Sequence, residues 1–374
     1  MSIKLNKRIP FFTPEISSDE IKSLNKTVKN GWISSQGKII ERFEKEFAKF
    51  HKIRYALTTS NCTTSLHLSL LSLNIKKDDE VICPNLTFIA PANMIKYTGA
   101  KLVLVDVEKD NFCISLKDLK KKITNKTKAI MIVHPFGYPV NINKVKKIVQ
   151  NRNIKIIEDV AESIGAKVNN KLCGTMGDVS CFSFFANKII TTGEGGMILT
   201  NKKKVYEKAK ILRDHGMSNK KRYFHKFLGF NYRMTAMQAA IGIVQLKKLK
   251  KILERKKLIK NRYISYLKAK TFEIFPKVRN TSSVEWFVTI TFKKQKLRNR
   301  FIKYMMKNKI ECRPMIFPVS FAKHFRDNYN KKNYINSYDI SLNSVHLPSS
   351  LNLNSKDIRL ISACINRWEE NIKI

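Results

Sequence analysis

The chain has 374 residues, 43% of them hydrophobic, and its 72 Lys and Arg residues outnumber 29 Asp and Glu residues, which gives a formal net charge of +43. This length predicts about two domains, and the hydrophobic content allows a sizeable core. The charge suggests either a protein that binds nucleic acid or an acidic membrane surface, or solvated helix faces rich in lysine. Because the lysines are scattered and form no separate basic arm, we favour the second interpretation and expect anionic substrates.

The cysteines and the apolar segments limit where the protein works. The chain has seven cysteines, an odd and scattered set with no Cys-x-x-Cys pair and no Cys/His ligand spacing, at positions 62, 83, 113, 173, 181, 312 and 364. This pattern argues against a disulfide framework and a metal site. Residues 1–14 contain no signal-peptide-like apolar stretch, and no apolar run is long enough to span a membrane. We therefore expect a cytoplasmic protein with reduced thiols and no membrane insertion.

Strand and helix signals alternate through the first half of the chain. A capping box at residues 17–20 opens a helix, and a second helix is predicted over residues 38–50. Short apolar segments that are typical of strands in a parallel sheet lie at residues 55–59, 81–84, 101–107, 129–134 and 154–159. The alternation predicts an α/β protein whose ligands bind beyond the carboxyl ends of its strands.

Candidate ligand-binding side chains follow three of these strands. Thr63 and Thr64 lie at a predicted helix N-terminus, which is either an anion site or an ordinary helix cap. Phe88 could stack on a ring or belong to the core. Glu158 and Asp159 point to opposite faces of their strand, so only one of them can face a given ligand. Asp159 is then either a partner for a protonated ring nitrogen or a solvated strand end or helix cap.

Residues 181–196 are the most unusual stretch, because they place one lysine between an aromatic run and a glycine-rich turn. Lys188 follows Phe182, Phe184 and Phe185, and contact with these rings would desolvate its amine. Desolvation favours the neutral, nucleophilic form that a Schiff-base lysine needs. Ser183 can offer a hydroxyl to a phosphate, and the turn at 193–196 lets the backbone approach a bound group. The alternative is a surface lysine whose stem lies on apolar residues.

The last third of the chain predicts a smaller domain. A long helix begins near Thr235 and leads through a charged segment, and a strand, a helix, a second strand and a final helix follow, the first three at residues 286–292, 297–307 and 310–313. We expect a large domain over residues 1–250 and a small α/β domain over residues 251–374.

The candidate residues together match the needs of pyridoxal phosphate: a helix N-terminus for the phosphate, a carboxylate, an aromatic ring and a lysine. The sequence contains no GxGxxG, GxxxxGK[ST] or GxSxG motif. A dinucleotide cofactor is therefore poorly supported, and a P-loop is excluded.

At this point the chain resembles the DegT/StrS family of sugar aminotransferases over nearly its whole length. The motifs that carry the resemblance are Asn61-Cys62-Thr63, Glu158-Asp159, Ser183 with Lys188, Gly193-Glu194-Gly195-Gly196 and Asn231-Tyr232-Arg233-Met234. The resemblance implies fold type I, with a mostly parallel central sheet, helices on both faces and a smaller C-terminal α/β domain. Segments 31–35, 157–162, 184–188 and 222–225 are most similar to members that aminate GDP-4-keto-6-deoxy-D-mannose. A histidine at position 188 would have pointed to dehydratase relatives.

The resemblance also implies roles for individual residues. Lys188 forms the Schiff base with pyridoxal 5'-phosphate and moves the proton, and Asp159 keeps the pyridine nitrogen protonated. Phe88 stacks on the ring, and the phosphate is held by Ser183, Thr63 and Thr64. Asn231 reaches the phosphate from the neighbouring subunit, which implies a homodimer with shared sites. The residues expected to contact the sugar nucleotide are Trp32, Tyr223, His225 and Arg313.

Two positions depart from the family pattern. Cys62 stands where the family usually has Gly, which would strain the chain if the position needs a positive φ. Glu162 stands where Gln or His is usual, and it would repel the ring hydroxyl's anion unless it is protonated or turned away.

The implied reaction moves an amino group from L-glutamate to the 4-keto group of a nucleotide-linked 4-keto-6-deoxyhexose, for use in a surface polysaccharide. UDP- or dTDP-linked substrates, C3 amination, a silent regulatory relative and a nucleic-acid- or membrane-surface-binding protein remain as alternatives.

Overall fold

The computed structural model describes residues 8–218, 221, 223–274, 281–328 and 330–372. Its strands are β1 (Tyr55–Thr59), β2 (Glu80–Pro84), β3 (Lys101–Val105), β4 (Thr127–Val133), β5 (Lys155–Asp159), β6 (Lys167–Val168), β7 (Lys171–Leu172), β8 (Val179–Ser183), β9 (Gly196–Thr200), β10 (Phe272–Ile274), β11 (Thr281–Ser282), β12 (Val288–Phe292), β13 (Arg313–Pro314) and β14 (Ser344–Leu347). Its helices are α1 (Ser18–Lys29), α2 (Lys38–His51), α3 (Cys62–Ser72), α4 (Ala90–Tyr97), α5 (Leu116–Lys122), α6 (Ile142–Val149), α7 (Lys203–Arg213), α8 (Ala236–Tyr266), α9 (Gln295–Lys307), α10 (Ile335–Asn343) and α11 (Ser355–Asn371).

The central sheet has seven strands in the order β1-β9-β8-β5-β4-β2-β3. Strands β8, β5, β4, β2 and β3 pair in parallel, and β9 joins β8 and β1 antiparallel. This mostly parallel sheet confirms the predicted fold class. The capping box at Ser17 and the start of α8 after its N-cap Thr235 also lie where the sequence predicts them.

Both faces of the central sheet are buried, which explains the continuous apolar strands. Along β4, Ala129 and Met131 belong to one hydrophobic cluster, whereas Ile130 and Ile132 belong to the other. Neighbouring residues in a strand point to opposite faces, so each face receives every second side chain. Helices cover both layers, as a parallel sheet requires.

The C-terminal part of the chain forms a second sheet that differs in detail from the prediction. Its four strands follow the order β10-β12-β14-β13, and all of its pairs are antiparallel. The strand predicted at 310–313 is reduced to an isolated bridge between Ile9 and Ile310 and the short β13. β14 lies between β12 and β13 because it pairs with both. The two-domain division stays a prediction, and α8 runs without a break through residue 250.

Two further expectations can be compared with the structure. The seven cysteines are all free thiols, and the structure shows in addition that all of them are buried. In the described part of the chain, no helix is long and apolar enough to cross a membrane.

Candidate active site

A cavity of about 480 Å³ opens where the parallel strands end. Its wall includes residues from the ends of β5 and β8, the first turn of α3 and segments of the C-terminal part of the chain. The structure brings together seven of the residues predicted from the sequence, Thr63, Phe88, Asp159, Glu162, Ser183, Lys188 and Arg313. The location agrees with the rule that ligands of α/β sheets bind beyond the carboxyl strand ends.

The N-terminus of α3 forms one side of the cavity. Asn61 caps the helix, since its side chain accepts the N–H of Thr64 at 2.9 Å. The Thr64 hydroxyl accepts the Asn61 N–H at 3.3 Å, which completes the capping box, and it donates to the Asn61 carbonyl at 2.8 Å. Thr64 is not part of the cavity wall. Thr63 does line the cavity. The first N–H groups of a helix have no partner inside it, so this end can receive an anion.

In the glycine-rich turn at 193–196, Gly196 lies against this helix end and Glu194 lines the cavity. The approach of this turn to a bound group stays a prediction. A Cβ on Gly196 would lie 2.5 Å from the Asn61 carbonyl carbon and oxygen. Gly196 pairs with Ser183 at the edge of the cavity. Glycine is therefore needed here so that β9 can pass close to the α3 cap.

Asp159 and Glu158 face opposite sides of the sheet, as predicted. The Asp159 side chain lines the cavity and accepts the Ala161 N–H at 3.0 Å, and burial raises its pKa to about 6. Glu158 lies behind the sheet, where it accepts backbone N–H groups and a hydrogen bond from His134 at 3.1 Å. Only Asp159 is placed to meet a ligand.

Lys188 lies inside the cavity, with 13% of its side chain exposed, so it is not a surface lysine. Its Nζ is 3.6 Å from Glu162 Oε1 and 3.9 Å from the centre of the Trp286 ring. Phe182 and Phe184 point away from it and pack against Phe47 in the core. Trp286 and Glu162 border the Lys188 amine, and Phe185 lines the same cavity. A neutral, desolvated Lys188 amine stays a prediction.

The two departures from the family pattern are accommodated. Cys62 is the first residue of α3 and has helical backbone geometry. Its φ is therefore not positive, and the cysteine causes no backbone strain at this position. Glu162 lines the cavity with one oxygen held back, because its Oε2 accepts the Phe136 N–H at 2.7 Å while its Oε1 lies 3.6 Å from Lys188 Nζ. Burial raises the pKa of Glu162, while Lys188 and the Phe136 N–H oppose that shift.

Of the remaining predicted ligand contacts, one lines the cavity and four lie outside its wall. Phe88 lines the cavity and is 60% exposed, so the core alternative is wrong for it. Outside the cavity wall, and exposed at the surface, are Trp32, Tyr223, His225 and Asn231. Arg222, part of a motif that carried the resemblance, lies outside the described residues.

Trp286 and Asn187 are two of the cavity-wall residues that sequence reasoning missed. Trp286 covers Lys188 but is separated from it by almost a hundred positions, and it stood in the sequence only as the start of a predicted strand. Asn187 directly precedes Lys188, and its buried Oδ1 has no hydrogen-bond partner within the described protein. An unpaired buried polar atom in a cavity wall indicates a missing ligand.

The residues present fit pyridoxal 5'-phosphate. A helix N-terminus with Thr63 and Ser183 suits a phosphate, Asp159 suits a ring N–H, exposed Phe88 suits a ring face, and the Asn187 amide oxygen awaits a donor. Fold and cavity together thus define a pyridoxal-phosphate-dependent transferase of fold type I.

Comparison with known proteins gives the family. The model of the DegT/DnrJ/EryC1/StrS aminotransferase family matches residues 14–366, and the chain belongs to this family. It is 37% identical to GDP-perosamine synthase of Escherichia coli O157:H7 over 97% of this chain and 99% of the relative. It is 37% identical to GDP-perosamine synthase of Vibrio cholerae over 96% and 99%. The Streptococcus pneumoniae protein Spr1654 in its PLP form superposes with a TM-score of 0.92 and 25% identity over 98% of this chain and 100% of that one.

These comparisons confirm the enzyme class, the fold and the cofactor predicted from the sequence. The chain is an aminotransferase that uses pyridoxal 5'-phosphate. The roles of individual residues stay predictions.

Proposed function

We propose that the chain transfers the amino group of L-glutamate to the 4-keto group of GDP-4-keto-6-deoxy-D-mannose and forms GDP-perosamine. The observation that carries this proposal is 37% identity to two GDP-perosamine synthases over nearly the full length of each chain. The cavity adds the chemical groups that an aminotransferase needs. The enzyme works in the cytoplasm, and its product serves a surface polysaccharide.

Pyridoxal phosphate, when bound, supplies an electron sink that stabilises negative charge on the carbon that exchanges its proton. Asp159 would accept a hydrogen bond from the ring nitrogen and keep that nitrogen protonated. Lys188 would hold the cofactor through its amine, and the same amine would serve as the base that moves the proton. Ser183 and Thr63 bind the phosphate, and Phe88 covers the ring.

Glu162 orients Lys188 without blocking the ring. Its Oε2 is fixed by the Phe136 N–H, while its Oε1 is 3.6 Å from Lys188 Nζ. Burial raises its pKa, so the protonated form is more accessible than in water. A neutral Glu162 would donate a hydrogen bond to the ring oxygen where the usual Gln or His would do so.

The diphosphate of the substrate needs positive charge at the cavity. Arg313 lines the cavity, lies over the Phe11 ring at 4.9 Å and shares Glu311 with Arg8. We assign it to the sugar nucleotide because guanidinium groups bind phosphates bidentately. Since phosphates are common to all nucleotide sugars, UDP- and dTDP-linked substrates remain the second candidates.

The proposal includes a homodimer with shared sites. Asn231 is exposed and outside the cavity of its own chain, which suits a residue that serves a partner's site. A mixture of Lys188→Ala subunits and Asn231→Ala subunits should regain activity, because one site of each heterodimer has both residues intact. Mixing Lys188→Ala with Asp159→Asn subunits, which lose residues of the same site, is the control. No regain in the first mixture would contradict a shared site.

The proposed reaction is tested first by the absorption spectrum of the purified holoenzyme. L-glutamate should bleach the visible band, and D-glutamate should not. GDP-, UDP- and dTDP-linked 4-keto-6-deoxyhexoses are then added separately to the bleached enzyme. We expect the GDP-linked mannose derivative to restore the band and to gain an amino group by mass spectrometry. Restoration by a UDP- or dTDP-linked sugar alone would overturn the substrate assignment but leave the transaminase reaction intact.

The net charge of +43 left a nucleic-acid-binding protein as the rival class. Family membership makes the chain an enzyme, and a salt series with duplex DNA measures any additional role. Binding through many phosphates weakens steeply with salt. We expect no duplex binding at physiological salt.

A further inference from the structure

The Trp286 side chain touches Lys188 in two ways. Its ring centre lies 3.9 Å from Lys188 Nζ, and its indole N–H donates to the Asn187 carbonyl at 2.6 Å. The first contact acts on the amine and the second on the peptide directly before it. An aromatic face stabilises a cation in front of it, most strongly when water is excluded, and Trp286 is 5% exposed.

Trp286 is in turn fixed from behind by a buried lysine of α8. Lys256 Nζ donates to the Trp286 carbonyl at 3.0 Å and to the Ser349 carbonyl at 2.6 Å. Lys256 is 1% exposed, and burial lowers its pKa to about 7. A buried ammonium is costly to keep, so two well-aligned carbonyls are what make this one tolerable.

The turn at Phe136 and Gly137 links both neighbours of Lys188. The Gly137 carbonyl accepts the Val284 N–H at 3.0 Å, and a Cβ on Gly137 would lie 1.6 Å from the Val284 oxygen. The rings of Phe136 and Trp286 are parallel within 11°. Since the Phe136 N–H also holds Glu162, one turn places both the carboxylate and the indole that contact Lys188.

We propose that Trp286 is a positioning residue for Lys188: the indole face and Glu162 hold the nitrogen of Lys188 in one place, and Lys256 holds Trp286. The proposal rests on the role of Lys188 in the proposed function. It gives a positioning role to two residues, Trp286 and Lys256, to which the proposed function assigns no contact with the cofactor. The indole face stabilises a positive charge on the Lys188 nitrogen at this location.

The test is a pH titration of the visible absorbance of the holoenzyme, together with kcat and KM, for Trp286→Leu, Trp286→Phe and Lys256→Met. Trp286→Leu removes the face and the N–H, and its absorbance midpoint should fall by about half to one pH unit because the cationic form loses its contact. Its kcat should fall about tenfold, with KM for the sugar nucleotide changed less than about threefold.

Trp286→Phe keeps a ring over the amine and loses only the indole N–H, so kcat should fall about threefold with the midpoint nearly unchanged. Lys256→Met should move the midpoint in the same direction as Trp286→Leu but less. Lys122→Met is the control, since Lys122 also donates to a backbone carbonyl, that of Leu104, away from the cavity. It should leave both readouts unchanged.

Two results separate this proposal from the proposed function. If Trp286→Leu keeps the wild-type midpoint and kcat while Lys188→Ala loses the band, the positioning role is wrong and the function stands. If Lys188→Ala keeps the band, the function itself fails. Should Trp286→Leu not fold, Trp286→Phe and Lys256→Met decide, and wild-type kcat and midpoint in both would overturn the positioning role.

Discussion

Glu158 and Asp159 end the same strand, one residue apart, yet the protein gives them opposite surroundings. The Glu158 carboxylate accepts four hydrogen bonds, one from His134 and three from the N–H groups of residues 174, 176 and 177. Burial alone would raise the pKa of Glu158, but these donors outweigh it and lower the pKa. Asp159 accepts one backbone N–H, from Ala161, and burial raises its pKa to about 6.

The comparison teaches that the number of donors, and not burial, separates the anchoring carboxylate from the reactive one. A buried carboxylate with a full set of donors stabilises the loop that supplies them. A buried carboxylate that lacks them gains most from a ligand that brings a proton or a charge. Perturbation of this kind, inside a cavity, is typical of a functional group.

The largest expected effect lies on the cavity face. Lys188→Ala removes the amine that lines the same cavity as Asp159, so turnover and the visible band of bound cofactor should both be lost. Lys188→Arg, which keeps a cation beside Glu162 and Trp286, is the matched control for folding and should also be inactive. Turnover by either variant would show that another amine does this work.

Asp159→Asn should leave the fold intact and lower kcat by about two to three orders of magnitude, the range for loss of one preorganised electrostatic contact. The amide cannot keep a ring nitrogen protonated. Steady-state kinetics after saturation with pyridoxal phosphate measure the effect. Near-normal kcat would refute the assigned role.

Glu158→Gln should have the opposite effect to Asp159→Asn: it should lower the free energy of unfolding and leave kcat nearly unchanged. The new side-chain amide carries an NH₂ group in place of one carboxylate oxygen. This NH₂ group would face N–H groups that now donate to Glu158, so donors would oppose donors. Breaking such a buried pairing costs about 3 kcal/mol. Urea unfolding should show the loss, and kcat of the folded fraction should stay within about threefold of wild type. A kcat loss as large as that of Asp159→Asn would erase the distinction between the two faces.

The raised pKa of Asp159 makes the cofactor-free protein sensitive to pH. The folded protein holds this proton up to about pH 6, whereas the ordinary value is 3.8. Between these values the folded state binds more protons, so stability falls as pH rises. A shift of about two units corresponds to about 3 kcal/mol. Relative to Asp159→Asn, cofactor-free wild type should therefore lose up to that amount in urea unfolding between pH 4 and pH 7.

Glu162 is present in both proteins of that experiment, and its charge contributes to the raised pKa of Asp159, so the difference reports the two coupled carboxyl groups. Adding pyridoxal phosphate should reverse the order at pH 7, because only the ionised carboxylate pairs with the ring nitrogen. A difference that does not depend on pH would contradict the raised pKa of Asp159.

The local pattern of the sequence predicts most of the fold. Strand β1 has the predicted bounds, and β2, β3, β4 and β5 differ from theirs by one or two residues at an end, because apolar runs are local signals. No strand bounds were predicted for β8 and β9. The small sheet was less accurate, since the place of β14 between β12 and β13 depends on pairing between distant segments.

The candidate site divides in the same way. Asp159 and Ser183 end strands, so their place in the cavity follows from the strand pattern. Thr63 and Thr64 differ by one position, and only the cap geometry shows that Thr64 uses its hydroxyl on Asn61. Trp286 could not be predicted, because Lys256 and the turn at residue 137 bring it to Lys188.

The smallest expected effect concerns Cys62, which adds one weak donor to the Asp159 face. Its Sγ lies 3.9 Å from Asp159 Oδ1, and burial raises the pKa of the thiol well above its usual range, so it stays neutral. A thiol is a weak donor, and Cys62→Ala should lower cofactor affinity by less than about fivefold, a change below about 1 kcal/mol. Cys62→Gly restores the usual family residue but loosens the first turn of α3, so it should also cost stability. A loss of affinity in Cys62→Ala as large as that in Asp159→Asn would mean that Asp159 depends on this thiol. The thiol would then count as a full donor to Asp159, and the difference in donor number between Asp159 and Glu158 would be smaller than their hydrogen bonds indicate.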